Sequence, residues 1–297
     1  MRLDKKGYAL PTILLISMII IIITMSIVAR VRQKITVARD LKSRSSAYLK
    51  SYSAMNRVIY NILTSKFTPS GILITPGDKS EIIWNLYGDP IELENDVVIK
   101  LRDEAGMVSP ITNPKKIRAL IKYASKDSGK IDSFMDALLD WQDVDNLKRL
   151  NGAESYDYLA AGYQYTPRNF YIQLPEEIML LKGLDQTIFE EIKDDIVYWG
   201  SGTMNFLTAS KKTLRSLLKN DSLVDSIIEI RKKGELTGKT FRNLTNIPIT
   251  ERDILYPSDW IKVEITAKTE NAKDTIEAVI VKSEMKGKPF MVVMWKR

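Results

Sequence analysis

Tyr8-Ala-Leu-Pro-Thr-Ile-Leu-Leu-Ile-Ser-Met-Ile-Ile-Ile-Ile-Ile-Thr-Met-Ser-Ile-Val-Ala29 is the stretch on which the reading of this chain turns. Its roughly 22 residues carry no charge, and at 1.5 Å per residue they make roughly 33 Å of helix, enough to cross a bilayer. Arg2, Lys5 and Lys6 stand before it, and Arg30, Arg32 and Lys34 follow at once. With both flanks basic, charge bias gives no orientation. The helical pattern runs on. Val28, Val31, Ile35, Ala38, Leu41, Ser45, Tyr48, Tyr52, Met55, Ile59 and Ile62 recur at steps of three or four, which predicts one face of a helix. Neither Gly nor Pro falls between positions 12 and 68. The expectation is a single helix over 8–65, with 8–29 in the membrane and its far end lying on a folded domain.

A secretory signal peptide needs a shorter apolar core and a small-residue cleavage site after it, and neither is present. A plain membrane anchor fits the hydropathy alone. Lys5-Lys6-Gly7-Tyr8, a basic leader ending in Gly against the apolar run, resembles a type IV prepilin leader. That resemblance implies a leader peptide over 1–7, cleavage between Gly7 and Tyr8 by a prepilin peptidase, and N-methylation of Tyr8. Prepilins usually carry Glu at the fifth residue after the cut; here that residue is Thr12, preceded by Pro11.

The 297 residues leave about 270 beyond the apolar run, enough for one large or two moderate domains. The chain has no Cys, which excludes disulfides and thiolate metal sites. It has no His, which removes the usual zinc ligand and the usual general base. The net charge of +7 is spread along the chain and does not by itself point to nucleic acid.

Pro69, Gly71, Pro76 and Gly77 mark 66–80 as a loop. Glu81–Asn85 is strand-like, and Val97–Arg102 is a β-branched strand whose hairpin return begins at Met107-Val108 after a turn. Together 66–112 form the first part of an α/β domain. Residues 113–245 change character: helical spacing recurs at Pro114–Ile117, Ser133–Leu139, Pro175–Leu181, Gln186–Tyr198, Lys211–Leu218 and Leu223–Lys232, with loops at Gly183, Gly200 and Gly234. From 246 to 297 strands return. Ile261, Val263, Ile265 and Ala267 alternate with polar residues, and Thr275–Lys282 and Pro289–Trp295 follow. The expected fold is α+β, a pilin-like long N-terminal helix packed on an antiparallel sheet, with a large all-helical domain inserted between the strands.

Asp140, Asp143, Asp145 and Glu154 put four carboxylates in one stretch, near carbonyl-presenting Asn146, Asn151 and Gly152. Crowded oxygen ligands suit Ca²⁺. The stretch is no EF-hand, lacking Gly and Glu at the sixth and twelfth positions. The plainer alternative has Asp140 and Asp143 capping helix ends and Glu154 paired with Lys148 or Arg149. Trp141, Tyr156 and Tyr158 read as core anchors of the same loop.

Leu139-Asp140-Trp141-Gln142-Asp143-Val144-Asp145, Asn151-Gly152-Ala153-Glu154, Pro167-Arg168-Asn169 and the Glu176–Gly183 segment together resemble the minor pseudopilin K family of type II secretion systems. Met204–Ala209 matches that family's pattern only in part, because Leu207 stands where Asn is usual. Members typically lack the Glu that Thr12 replaces. The resemblance implies a non-enzymatic subunit of the inner membrane with its domain in the periplasm. It would sit at the tip of a short filament with minor pseudopilins I, J and H and work through the inner-membrane assembly platform. It also implies calcium in the helical domain, and helix contacts within the filament through Val28, Val31, Ile35, Ala38 and Leu41.

The alternative is a membrane-anchored helix-hairpin-helix DNA-binding protein of a competence-type system. Leu180-Leu181-Lys182-Gly183-Leu184-Asp185 resembles half of such a motif, whose Gly turn binds phosphate through backbone amides. Asp185, Glu190, Glu191, Asp194 and Asp195 oppose it by repelling phosphate. A Ser210–Lys211 dyad is no better, because adjacent helical residues do not face each other.

Overall fold

The computed structural model describes residues 9–69, 71–75, 81–125, 127–198, 202–248, 250, 253–283, 285 and 287–297. One helix, α1 (Ala9–Thr64), runs unbroken through the first quarter of the chain. Its leading half is bare: Leu10, Ile13, Met18 and Met25 are all exposed, and the apolar window has a mean hydropathy of 2.8. Among the described residues it is the one helix long and apolar enough to cross a membrane.

The trailing half of α1 buries Ala47, Ser51, Ala54, Met55, Val58 and Ile62. That is a straight helical face, and it differs from the expected stripe. Val28, Val31, Ile35 and Leu41 are exposed, and so are Tyr48 and Tyr52, which stack on each other instead. The reason is geometric. Steps averaging 3.4 residues precess on a helix of 3.6, by about 160° between positions 28 and 62. Only Met55, Ile59 and Ile62 remain on the side that meets the core.

That core lies against a five-stranded antiparallel sheet of order β10-β9-β8-β5-β4. Its strands are β4 (Ile91–Glu94), β5 (Val97–Asp103), β8 (Trp260–Lys268), β9 (Lys273–Lys282) and β10 (Phe290–Lys296). Val97, Ile99 and Leu101 of β5, and Ile261, Val263, Ile265 and Ala267 of β8, alternate inward to meet Met55, Val58 and Ile62. The expected C-terminal meander is present, and the long helix packs on it as anticipated.

Two expectations fail here. The stretch 66–80 is not simply a loop. It contains β1 (Lys66–Thr68) and β2 (Gly71–Ile74), which form a separate three-stranded sheet with β3 (Ile82–Asn85). These strands of three and four residues are too short to show alternation. Nor is the hairpin where it was placed. β5 pairs with β4 before it and β8 far after it, while Val108 bridges in parallel to Ile196. A 3₁₀ turn at Glu104–Gly106 carries the chain away from the sheet.

Gly71 shows why a breaker can sit in a strand. Its φ is +151°, and a Cβ there would stand 2.2 Å from the Trp84 carbonyl oxygen. Gly71→Ala should therefore lower stability by about 2 kcal/mol, because the obstructing atom is backbone and cannot swing aside. Urea unfolding followed by Trp fluorescence would measure it, and an unchanged midpoint would contradict the geometry.

Between β5 and β8 lies the helical insertion. It comprises α2 (Pro114–Ala124), α3 (Ser128–Gln142), α4 (Ser155–Ala160), α5 (Gln186–Ile192), α6 (Lys211–Leu218), α7 (Asp221–Lys232) and α8 (Gly238–Thr245), with a 3₁₀ segment at Pro175–Leu180. Two-residue strands β6 (Met204–Asn205) and β7 (Asp253–Ile254) pair in parallel. Sequence spacing did not mark α4 or α8, and it carried α5 too far, since that helix gives way to a 3₁₀ turn at Lys193–Asp195. The loop expected at Gly200 lies outside the described residues. Two apolar clusters fill the insertion, one around Phe134, Leu138 and Trp141 and one around Phe206, Leu214 and Phe241.

The exit and re-entry of the insertion are tied at Asp103, the last residue of β5, which is fully buried. Its Oδ1 accepts from Ala105 N, Ser258 N and Ser258 Oγ at 3.1, 3.1 and 2.6 Å. Its Oδ2 accepts from Asn205 Nδ2 at 3.0 Å and Thr208 Oγ1 at 2.7 Å. Burying a carboxylate is tolerable only when its oxygens are satisfied in this way.

Candidate metal centre

The acidic stretch begins where α3 ends. Asp143 occupies the C-cap position, and the chain then loops out through Val144–Leu150 before returning at Asn151-Gly152. Asp136 receives the returning loop through Asn151 N and Nδ2, at 3.0 and 3.1 Å. Gly152 passes so close to α3 that a Cβ would stand 1.9 Å from Asp140 Oδ2, so no larger residue fits. Glu154 then takes the N-cap position of α4, its backbone N–H donating to Asp157 Oδ2 at 3.0 Å.

The structure brings three of the four expected carboxylates together. Oxygens of Asp143, Asp145 and Glu154 lie within 4.8 Å of one another. Asp140 is not in that group. It is fully buried and turned to Arg149, whose Nη1 donates to Asp140 Oδ1 at 2.6 Å and whose backbone N–H also points to it. The same Nη1 reaches Asp143 Oδ2 at 2.5 Å. The plainer pairing of Glu154 with Lys148 or Arg149 is absent: Lys148 is held by Asp157 and Arg149 by Asp140 and Asp143. The hydrogen bond from Lys148, with one from the Glu154 backbone, keeps the Asp157 carboxyl below its ordinary range.

Several oxygens of this loop are left over from these pairings. Asp143 Oδ1 and Asn169 Oδ1 are buried without a hydrogen-bond partner, and the equally buried oxygens of Glu154 have only the backbone N–H groups at the start of α4 beside them. Asn169 holds a left-handed backbone, φ 53°, and its Nδ2 donates to the Asp145 carbonyl at 3.3 Å. Its amide oxygen thus belongs to the same neighbourhood, although sequence reading did not assign it as a ligand. The one available signal was an Asn after Pro167-Arg168, a residue that tolerates this backbone. Burial pushes the Glu154 carboxyl up to about 7, and the charges of Asp140, Asp143 and Asp145 add to that. Four carboxylates against one guanidinium leave negative charge uncompensated. An all-oxygen donor set of carboxylates and an amide suits a hard divalent cation such as Ca²⁺.

An aromatic floor supports the loop. Trp141 packs edge-on to Tyr158 at 5.7 Å and donates from Nε1 to Glu177 Oε1 at 2.9 Å. Burial pushes the Glu177 carboxyl up, but hydrogen bonds from Arg168, Trp141 and Gln173 N outweigh it and leave it below its usual range. Burial also pushes the Tyr158 hydroxyl up to about 12. Tyr156, expected as a third anchor, is 81% exposed. Two residues apart on one helix turn, it and Tyr158 face opposite sides.

The Gly183 turn, half of the hairpin motif considered above, is pressed against α3, where a Cβ would stand 2.5 Å from Phe134 N. Asp185 caps α5 through Ile188 N at 2.9 Å and pairs with Lys130. The five α1 residues expected to make filament contacts, Val28, Val31, Ile35, Ala38 and Leu41, are all exposed. Gly7 and Tyr8 lie outside the described residues.

Comparison with known proteins agrees with this architecture. Residues 101–198, which include every member of the acidic cluster, match the family model of the type II secretion system protein K. No curated protein matches the chain. The fold resembles a chain in the crystal structure of the GspK–GspI–GspJ complex from the enterotoxigenic Escherichia coli type 2 secretion system. The TM-score is 0.54 at 15% identity, covering 90% of this chain and 98% of that one. Residues 101–198 are thus similar to a type II secretion system protein K domain, and in this chain they follow a long apolar helix packed on an antiparallel sheet.

Proposed function

We propose that this protein is a minor pseudopilin that works at the tip of the type II pseudopilus, initiating or capping the filament that drives folded exoproteins across the outer membrane. The observation that carries the reading is the protein K domain at 101–198, set on a helix whose leading half is bare and apolar. Residues 8–29 hold the precursor in the inner membrane and 30–297 lie in the periplasm. Prepilin peptidase removes 1–7, and the new terminus at Tyr8 is methylated. The assembly platform then hands the subunit to minor pseudopilins I, J and H. The GspK-containing complex that resembles this fold supports I and J as partners. The exposed surface around Val28, Val31, Ile35, Ala38 and Leu41 is apolar enough to receive their helices. The role is structural and not enzymatic, with residues 113–245 forming the bulk that stops addition above the tip.

Calcium belongs to the same proposal. Asp143, Asp145, Glu154 and the amide oxygen of Asn169 would hold it, while Arg149 fixes Asp140 beneath them. A bound ion supplies positive charge to a loop that otherwise repels itself.

Two measurements test the reading. Gly7→Val should leave the leader attached, because the peptidase requires a residue without a side chain there. Mass spectrometry finding mature protein that begins at Tyr8 would refute the prepilin assignment. Cysteines placed in 113–245 should cross-link to minor pseudopilins I and J. Regular self-cross-links along the filament would instead make this a shaft subunit.

A further inference from the structure

A second polar centre lies on the insertion, among residues that the acidic cluster does not use. Arg231 of α7 is 2% exposed. Its Nη1 donates to the Ala209 carbonyl at 2.8 Å and its Nη2 to the Phe206 carbonyl at 3.4 Å, and the guanidinium lies 4.6 Å over the Tyr87 ring. Its Nε has no partner. Among the described residues Arg231 forms no ion pair, and Asp89, the carboxylate whose charge acts on it, sits exposed. Burial lowers the Arg231 pKa to about 10, since a cation removed from water without a counterion is disfavoured.

Arg231 lines a cavity of about 340 Å³, and the start of α6 lines it too, through Ser210, Lys211 and Lys212. A helix leaves its first-turn amides without intrahelical partners, and its dipole favours an anion there. Ser210 Oγ caps the Thr213 amide at 3.0 Å, so the turn is well formed. Three acids line the cavity as well; Asp89 and Asp194 form no ion pair among the described residues, and Asp195 is the one that is paired. Asp195 is held by Arg102 at 3.3 Å and approached by Lys212 at 3.7 Å, and the Asp194 carbonyl accepts from Arg102 at 2.7 Å. Lys232 adds an exposed ammonium at the wall, with no ion pair among the described residues.

We infer that this cavity binds a phosphate-type oxyanion, taken either free or as the phosphoryl end of a lipid headgroup. Arg231 supplies a buried donor, α6 supplies backbone amides, and Lys232 draws the anion in together with Lys211, which is exposed and paired with Asp225 at 2.7 Å. The tetrahedral oxyanion accepts from several directions at once, which suits donors that converge from two helices.

The test uses the full chain in neutral detergent, with EDTA present so that calcium plays no part. Sodium phosphate is titrated against sodium chloride of equal ionic strength, and in a parallel arm phosphatidic acid is doped into the micelle. A rise in melting temperature with phosphate alone identifies a free-anion site. A rise with phosphatidic acid alone identifies a headgroup site. Arg231→Met should abolish the response, and the surface variant Lys211→Gln, Lys232→Gln should weaken it at least tenfold. If Arg231→Met fails to fold, the surface variant decides. No response in either arm, or a full response in the surface variant, would overturn the inference.

Discussion

Asp103→Ala is expected to be the most damaging single substitution in the folded domain, lowering the unfolding free energy by about 4 kcal/mol. The carboxylate accepts from five donors on Ala105, Asn205, Thr208 and Ser258, and alanine would leave those donors buried without an acceptor. Asp103→Asn keeps the shape but turns an N–H₂ toward groups that are themselves donors, so it should recover only part of the loss. Urea unfolding in detergent would measure both. Trp84 belongs to the core beneath the sheet and Trp141 to the helical insertion, so their fluorescence covers both regions. A loss under about 1 kcal/mol for Asp103→Ala would show that water or relaxation satisfies these donors after all.

The second large effect is a coupling of pH and calcium. Glu154 titrates near 7 in the fold, first because it is buried and then because Asp140, Asp143 and Asp145 surround it. Unfolded, it returns to about 4.3. A carboxyl raised in the fold contributes stability that is fully present below its unfolded value and is lost as pH rises through the folded one. The metal-free protein should therefore lose on the order of 3 kcal/mol between pH 4 and 8 from this residue, some 6–12 °C in melting temperature. Calcium requires the ionised carboxylate, so its stabilising effect should grow over the same window, reaching about 3 kcal/mol at a hundredfold excess over Kd. Asp143→Ala, Asp145→Ala should flatten both trends. A calcium response equal at pH 5 and pH 8 would remove Glu154 from the site.

Much of the scaffold was legible because its signals are local. Absence of breakers marks α1, β-branched residues mark β5, and alternation marks β8. Residues that depend on chain return were not legible. Asp140 and Asp143 look equivalent in sequence, and only the fold-back of Arg149 separates them. Asn169 joins the acidic cluster from a loop beyond α4. Ser258 reaches Asp103 across 155 positions, a distance at which pattern carries no information. Tyr48 and Tyr52 leave the buried face for a different reason, since residues at steps of three and four wind around the helix axis.

β5 and β8 are neighbours, with Asp103 opposite Ile261. Everything between them is, in polymer terms, the loop of one β-hairpin. The entropy of closing a loop grows only with the logarithm of its length, so about 156 residues cost only about 3 kcal/mol more than a four-residue turn. The pilin-like scaffold is thus nearly indifferent to what it carries. The head could be exchanged for a tight turn, or for another protein whose ends lie side by side, without changing the register of the shaft. On the function proposed above, such a headless chain would separate what the subunit does by joining a filament from what it does by its bulk.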